Sequence, residues 1–212
     1  ETGEDIKIMG LRSERDLDLT VAMPFLAHSV RSEAEYFERK GVALAEMMAF
    51  LEKFEVFKRT KVHFNTLDAP GRGLGGVYLT LLGTSAENAD SGQVGRGNRV
   101  NGIISVNRPM GTEAAAGKNP VSHVGKVYNV LSHKIAKEIY EGIEGIKEVY
   151  VFLLSRIGTP IDSPHMATAR IMPERGRKVS EIAKDAAAIF EKELAGIGRF
   201  CTELSRGRYT VC

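Results

Sequence analysis

A glycine-rich, cationic segment without aromatic residues, at residues 83–126, most constrains how this 212-residue chain can fold. Eight of its 44 residues are glycine, three are arginine and two are lysine, and Phe, Tyr and Trp are absent from residues 79–127. Glycine lets the backbone adopt φ > 0 and approach a ligand closely, and arginine and lysine suit phosphate. Long irregular connections are usually either functional or disordered. Because this one is also aliphatic, it predicts a polyphosphate-binding loop.

The composition indicates a soluble globular protein of one or two domains. Apolar residues make up 43% and charged residues 26% of the chain, which is ordinary for this class. The net charge of +2 gives no overall cationic field for nucleic acid or an anionic membrane. No apolar run approaches the roughly 20 residues that span a bilayer, and the charged start does not resemble a signal peptide. With only Cys201 and Cys212, too few for a disulfide framework, we expect a cytoplasmic protein.

Hydrophobic periodicity predicts an α/β protein with an α+β two-layer arrangement, in which the helices pack on one face of mixed sheets. From residue 76 onward the predicted order is β-α-β-β-α-β. Residues 5–67 give β-β-α-β, the same unit without its first strand and helix. We therefore predict a partial domain at residues 1–67, which the family resemblance given below makes a central domain, and a C-terminal domain at residues 68–212. The Gly-rich active-site loop of the second domain spans residues 83–119.

Turn and cap signals set the expected limits of the elements. Ser32 and Glu35 form a capping-box pattern for a helix that continues to about residue 55. Ile6 and Ile8 alternate with charged residues, which predicts a half-buried strand at residues 4–11. Asn119 is followed by proline, a pattern typical of a helix start. Further strands are expected at residues 62–66, 77–82, 149–154, 166–172 and 209–212, and a further helix is expected to begin at Ser180.

Lys118 lies in a segment that nearly matches a phosphate-binding P-loop. Residues 111–119 are G-T-E-A-A-A-G-K-N, but five residues rather than four separate the glycines, and Asn119 stands where Ser or Thr would hold magnesium. The position before a predicted helix still favours an anion, because free backbone N–H groups and the helix dipole meet there. Lys118 is thus a candidate phosphate ligand, with a solvated loop lysine as the alternative.

A second candidate set lies at residues 90–99, D-S-G-Q-V-G-R-G-N-R. Asp90 suits Mg²⁺, which takes one or two carboxylates together with substrate phosphates. Arg96 and Arg99 could clamp phosphate oxygens. Gly95 and Gly117 would let the backbone approach the ligand. An acidic turn residue with two surface arginines is the alternative interpretation.

The five histidines show no metal-ligand spacing. His123 stays an open candidate because it falls in the first turn of the predicted helix beside the loop. Ser122 precedes it, but no Asp or Glu is placed to orient the imidazole, which argues against a hydrolase triad.

Several longer stretches resemble the archaeal type of S-adenosylmethionine synthetase, also called methionine adenosyltransferase. They are G-E-D-I-K-I-M-G at residues 3–10, G-T-S-A-E at 83–87, V-G-R-G-N-R-V-N-G-I-I at 94–104, N-R-P-M at 107–110 and A-A-A-G-K-N-P-V-S-H-V-G-K-V-Y-N-V-L at 114–131. The resemblance extends over essentially the whole chain, but it corresponds to the C-terminal half of that family.

The resemblance implies a transferase that forms S-adenosylmethionine from L-methionine and ATP and splits the released triphosphate into pyrophosphate and phosphate. It implies Mg²⁺ and K⁺ as cofactors. It also implies a homodimer with active sites at the subunit interface, without nucleic-acid or membrane partners.

The resemblance also implies roles for individual residues. Asp90 matches the metal-binding aspartate of the family, Arg96 its phosphate-binding arginine and Lys118 the lysine of its G-K-[DN] element. Asp5 and Lys7 match a D-x-K strand that faces the nucleotide phosphates, whereas the residues alone would suggest a solvated strand face. These assignments make Asp90, Arg96 and Lys118 the expected catalytic group and Asp5, Lys7, Arg99, Gly95 and Gly117 the expected nucleotide-binding group.

The sequence also departs from the family pattern. The G-H-P-D element of the family is absent from these residues, so the chain is expected to be inactive alone. A cation of the bacterial and eukaryotic branch is also missing, and Arg99 and Lys126 are possible replacements. The alternative function is a non-catalytic module that binds a nucleotide or nucleic acid, although the loop lacks the aromatic side chains on which bases stack.

Overall fold

The structure is a computed structural model that describes residues 1–84, 99–111 and 114–211. Three predicted site residues, Asp90, Gly95 and Arg96, lie outside the described residues. The chain forms two compact units, Glu1–Asp90 and Ser91–Cys212. The boundary predicted between residues 67 and 68 lies inside the first unit. The predicted division of the chain into two related domains stays a prediction.

The first unit combines one long helix with short strands. Its elements are β1 (Lys7–Ser13), β2 (Asp16–Ala22), β3 (Phe25–Leu26), α1 (Glu33–Leu51), β4 (Arg59–Phe64) and β5 (Leu79–Thr80). β2 pairs antiparallel with β1 and parallel with β4, so the three strands form the predicted kind of mixed sheet. β3 and β5 pair in parallel as a separate two-stranded sheet.

Helix α1 begins where its capping box predicts. The Ser32 hydroxyl oxygen accepts a hydrogen bond from the Glu35 N–H at 3.1 Å, and the Glu35 carboxylate accepts one from the Arg31 N–H at 2.7 Å. These contacts satisfy backbone donors that a helix start leaves free. The helix then buries Tyr36 edge-on against Phe25, with ring centroids 5.1 Å apart.

The prediction of a half-buried strand at residues 4–11 was wrong in its burial. β1 begins at Lys7, and Ile6 and Ile8 are 46% and 65% exposed. β1 is an edge strand of its sheet, and α1 packs on β4 at the opposite edge. The alternating pattern therefore predicted the presence of a strand correctly but predicted its burial wrongly. The strand predicted at residues 77–82 is also shorter, because only Leu79–Thr80 pairs.

The second unit packs helices on a two-stranded antiparallel sheet. Its elements are α2 (Val124–Gly142), β6 (Ile146–Leu154), β7 (Met166–Pro173), α3 (Val179–Ala195) and α4 (Ile197–Ser205). α2 packs on β6, α3 packs on β7, and the two helices contact each other. The core is apolar and includes Val127, Leu131, Ile135, Ile139, Ile182 and Phe200. No helix of the described ranges is long and apolar enough to cross a membrane.

The mixed α/β fold is confirmed, but the predicted repeat of β-α-β-β-α-β units is not. The described elements of the second unit follow the order α-β-β-α-α. Helix α4 was not predicted, and the last strand expected at residues 209–212 was wrong, because residues 209–211 are not in a strand. Instead, the Tyr209 ring packs against Phe200 of α4 at a centroid distance of 4.9 Å.

A buried hydrogen-bond network centred on Tyr36 fixes the first unit. The Tyr36 hydroxyl donates to the Asp68 carboxylate at 2.7 Å and accepts from the Asn65 side-chain amide and the Tyr78 N–H, each at 3.2 Å. Lys40 binds the same Asp68 oxygen at 2.8 Å. Tyr36 itself is fully buried. The network therefore links α1 to the segments that follow β4 and precede β5.

Replacing Tyr36 by Phe should lower the free energy of unfolding by about 1–3 kcal/mol, because it leaves buried partners of the hydroxyl unsatisfied. Tyr140→Phe is the matched control: Tyr140 is 52% exposed, so a change within about 0.5 kcal/mol is expected. Urea denaturation of both variants measures the difference. Equal stability of Tyr36→Phe and wild type would contradict a structural role for the network.

A charge network joins α2 to α3 in the second unit. Lys134 pairs with Glu138 at 2.5 Å and with the nearly buried Glu193, and Lys192 pairs with Glu138 at 3.1 Å and with Glu193 at 3.4 Å. Burial opposes ionisation of Glu138, but hydrogen bonds from Lys134 and Lys192 outweigh it and hold the pKa of this carboxyl below its usual 4.5.

Because the pKa of Glu138 is lower in the folded state than in the unfolded state, its ionisation stabilises the fold above about pH 4.5, and this stability is lost as the pH falls through the lowered pKa. Thermal denaturation between pH 7 and pH 3 should therefore show wild type losing more stability than Glu138→Gln. Glu141→Gln, an exposed change on the same helix, should follow wild type. Parallel curves for Glu138→Gln and wild type would rule out this linkage.

Candidate functional site

Lys118 is held by a short turn packed into the second unit. Ala114 and Ala115, four and three residues earlier, are 4% and 0% exposed. Gly117 has φ = +78°, a left-handed conformation that side chains other than glycine rarely adopt. Lys118 follows these residues directly and is half-buried. The buried alanines therefore anchor the turn that carries the lysine.

Asn119 caps a separate turn rather than the long helix. Its side-chain oxygen accepts hydrogen bonds from the N–H groups of Val121 at 2.9 Å and Ser122 at 3.1 Å. α2 begins only at Val124, with His123 as its cap, so the predicted helix start was four residues early. In a P-loop, a Ser or Thr at this position would hold magnesium. Here the side-chain oxygen of Asn119 accepts backbone hydrogen bonds instead.

His123 is the cap of α2. Its Nδ1 accepts a hydrogen bond from the Gly125 N–H at 3.0 Å. A ring nitrogen used in this way satisfies one of the free donors at a helix start. This contact accounts for His123 as a structural residue. Ser122 is exposed, and its N–H donates to Asn119, so the pair shows no catalytic arrangement.

Lys126 is the site residue that sequence reasoning left unresolved. It lies in the first turn of α2 and is only 9% exposed. Burial, and then the positive charge of Lys118, lower its pKa. The structure thus brings Lys118 and Lys126 close enough for their charges to interact. No local sequence pattern distinguishes this lysine from an exposed helix lysine.

Arg99 lies in a different part of the second unit. It lines a cavity of about 730 Å³, together with Arg108, one face of α2 and strand β6. The Arg99 Nε is buried and has no hydrogen-bond partner within the described ranges. Tyr140 and Tyr150 also line this cavity, but Lys118 does not. The structure therefore does not place Arg99 and Lys118 in one pocket.

Asp5 and Lys7 contact each other at the start of β1 in the first unit. The Lys7 ammonium lies 2.5 Å from the Asp5 carboxylate, and the two side chains are 58% and 31% exposed. The Asp5 N–H also donates to the carbonyl of Gly83 at 3.1 Å. Gly83 is the first residue of the glycine-rich segment, so this segment begins beside Asp5.

The predicted site residues therefore fall into separate groups. Lys118 is grouped with Gly117 and Lys126, and Arg99 lies at the cavity. Asp90, Gly95 and Arg96 lie outside the described residues. Within the described ranges, no three His, Cys, Asp or Glu side chains cluster as metal ligands would.

Comparison with known proteins gives a consistent family. A family profile described as S-adenosylmethionine synthetase (AdoMet synthetase) matches residues 1–208. The S-adenosylmethionine synthase of Caldivirga maquilingensis is 43% identical over 210 residues, which are 99% of this chain and 51% of that relative. The same enzyme name is borne by a Pyrococcus horikoshii protein, 46% identical over 99% of this chain and 51% of its own length. A Pyrococcus furiosus relative of that name is 48% identical over 195 residues, which are 92% of this chain and 48% of that relative.

The chain spans about half the length of the curated relatives that it matches. The match nevertheless extends over nearly every residue given, including the loop and both compact units. The resemblance seen in the sequence motifs is thereby confirmed, and the chain belongs to the S-adenosylmethionine synthetase family.

Proposed function

We propose that this chain supplies the phosphate-binding part of an enzyme that forms S-adenosylmethionine from L-methionine and ATP. The observation that carries the proposal is the family match over residues 1–208, which includes the loop that ends at Lys118. The half-buried position of Lys118 on a turn held by Ala115 and Gly117 supports it.

In the proposed reaction, the methionine sulfur attacks the ribose C5′ of ATP and the whole triphosphate leaves. Negative charge accumulates on the leaving group as the C5′–O bond breaks. Cations that are already in position stabilise this charge without reorganising at the moment of reaction. Lys118 is proposed to bind the departing phosphate chain. Arg96, which lies outside the described residues, is proposed to bind the same chain. A water molecule would then hydrolyse one bridging P–O bond of the triphosphate, which gives pyrophosphate and phosphate.

Mg²⁺ and K⁺ are the proposed cations. Asp90 would contribute a carboxylate oxygen to Mg²⁺, and phosphate oxygens would supply further ligands, as is usual for this ion. When bound, Mg²⁺ would neutralise part of the charge on the phosphates. The proposed nucleotide-binding residues are Asp5, Lys7, Gly95, Arg99 and Gly117. We also propose that the whole enzyme is a cytoplasmic homodimer with active sites at the subunit interface.

The chain by itself should form no S-adenosylmethionine from methionine and ATP, since it spans only about half the length of its relatives. A chromatographic assay of purified chain measures this directly. Joining the N-terminal half of the Pyrococcus horikoshii relative to the chain should give measurable product. Turnover by the 212-residue chain alone would contradict the expected division of the site.

In that joined protein, Lys118→Ala and Arg96→Ala should each lower kcat by about 10²–10³-fold, the effect of removing one donor that stabilises developing charge. Their melting temperatures should stay close to that of the parent. Lys184→Ala is the control, because Lys184 is an exposed residue of α3. If melting temperature and kcat fell together, Lys118 would be a structural residue and the proposal would fail.

A further inference from the structure

Lys126 is a largely buried cation in the first turn of α2. Only 9% of the residue is exposed, and the influences on its pKa are burial and another cation, Lys118, with no acidic group of the described residues among them. A charged group that is removed from water is normally paired, because its desolvation is costly. The free protein therefore contains a lysine in an unfavourable position that its own described residues do not offset.

A second cation makes this position still less favourable. Lys118 lies close enough that its charge lowers the pKa of Lys126, in addition to the effect of burial. Two like charges disfavour each other's ionised form. Both lie near the start of α2, a helix of 19 residues, whose N-terminal end carries a positive partial charge. Burial, the neighbouring lysine and the helix end all favour an anion at the same place.

We propose that Lys126 is a second phosphate-binding residue, which together with Lys118 binds one phosphate chain at the start of α2. The identity of the anion as the triphosphate of a nucleotide rests on the proposed function. The two-lysine site itself rests on the burial of Lys126 in the first turn of α2 and on the turn that places Lys118 shortly before this helix. It deepens the proposed function by assigning a binding role to Lys126, which the sequence offered only as one of two possible replacements for a missing cation.

The surroundings hold both lysines in place. Lys126 is followed directly by Val127 and Tyr128, which are 1% and 6% exposed, and the Tyr128 hydroxyl donates to the Ile161 carbonyl at 2.6 Å. Lys118 follows the buried Ala115 and the left-handed Gly117. The backbone at both positions is therefore tied to the packed core, so an anion that binds there has to order only the lysine side chains.

Replacing Lys126 by Met separates a binding role from a structural one. The variant removes a largely buried charge and the repulsion from Lys118, so its melting temperature should equal or exceed that of wild type. Its dissociation constant for inorganic triphosphate should rise about 10–100-fold, as expected for the loss of a hydrogen bond to a charged group. Isothermal titration calorimetry of the 212-residue chain measures the affinity. Lys118→Met should weaken binding similarly, and Lys184→Met should leave it unchanged.

Several outcomes would overturn the inference. They are no binding of triphosphate by the wild-type chain at about 10 mM, an unchanged dissociation constant in Lys126→Met, or a loss of affinity that only accompanies a lower melting temperature. The proposed function fails separately. If both lysines bind triphosphate but the joined protein makes no S-adenosylmethionine, the two-lysine site stands and the enzyme assignment falls. If the joined protein is active and Lys126→Met binds normally, the inference alone is wrong.

Discussion

Burial of the apolar face of α2 determines where the candidate site can be. Leu131, Ile135 and Ile139 are fully buried between β6 and α3, and a side chain of this size contributes about 1.5–3 kcal/mol when it is buried. This packing fixes the rotation of the helix and hence the direction of every residue in its first turn. Lys126 precedes Val127, the first buried aliphatic residue of that stripe, so it is held at the edge of the core. A lysine that packing did not constrain would turn its ammonium out to water.

The two ends of the glycine-rich segment are fixed in different ways. At its start, Gly83 has φ = +81°, and a Cβ atom on the facing Gly3 would lie 2.4 Å from the Gly83 carbonyl oxygen. Glycine at both positions thus permits a close backbone approach in the first unit. At its other end, Ala114 and Ala115 enter the core of the second unit. Fixed ends and a glycine-rich interior are what a loop needs if it is to carry ligand-binding groups on a rigid scaffold.

The sequence predicted local structure best where a side chain contacts its own backbone or a continuous core. The capping box at Ser32 and the apolar strand β6 are examples, since both signals are complete within a few residues. The sequence-based prediction failed where contacts with distant parts of the chain determine the local structure. Asn119 has the pattern of a helix cap but caps a turn, and His123 caps the helix instead. Ile8 alternates as an inward residue, yet it is 65% exposed on an edge strand, and α1 packs on β4 at the opposite edge of that sheet.

The candidate site was predictable in part for the same reason. The family motif identified Lys118, because its lysine follows a glycine at a recognisable spacing. Burial of Lys126 depends on how α2 packs, and no local pattern separates it from an exposed helix lysine such as Lys137. Arg99 was grouped with Lys118 from its charge and its loop, but the fold places it at a cavity beside β6. Positively charged residues in a loop indicate the class of ligand, but they do not indicate which of these residues lie close together in the fold.

The central claim is that a phosphate chain binds where the loop joins α2. The most direct measurement is an amide NMR titration of the isotopically labelled chain with inorganic triphosphate. The account predicts saturable shifts concentrated at residues 117–127, with the resonances of the cavity beside β6 little changed. Shifts centred on Arg108 and Tyr150, or none at any concentration, would contradict it.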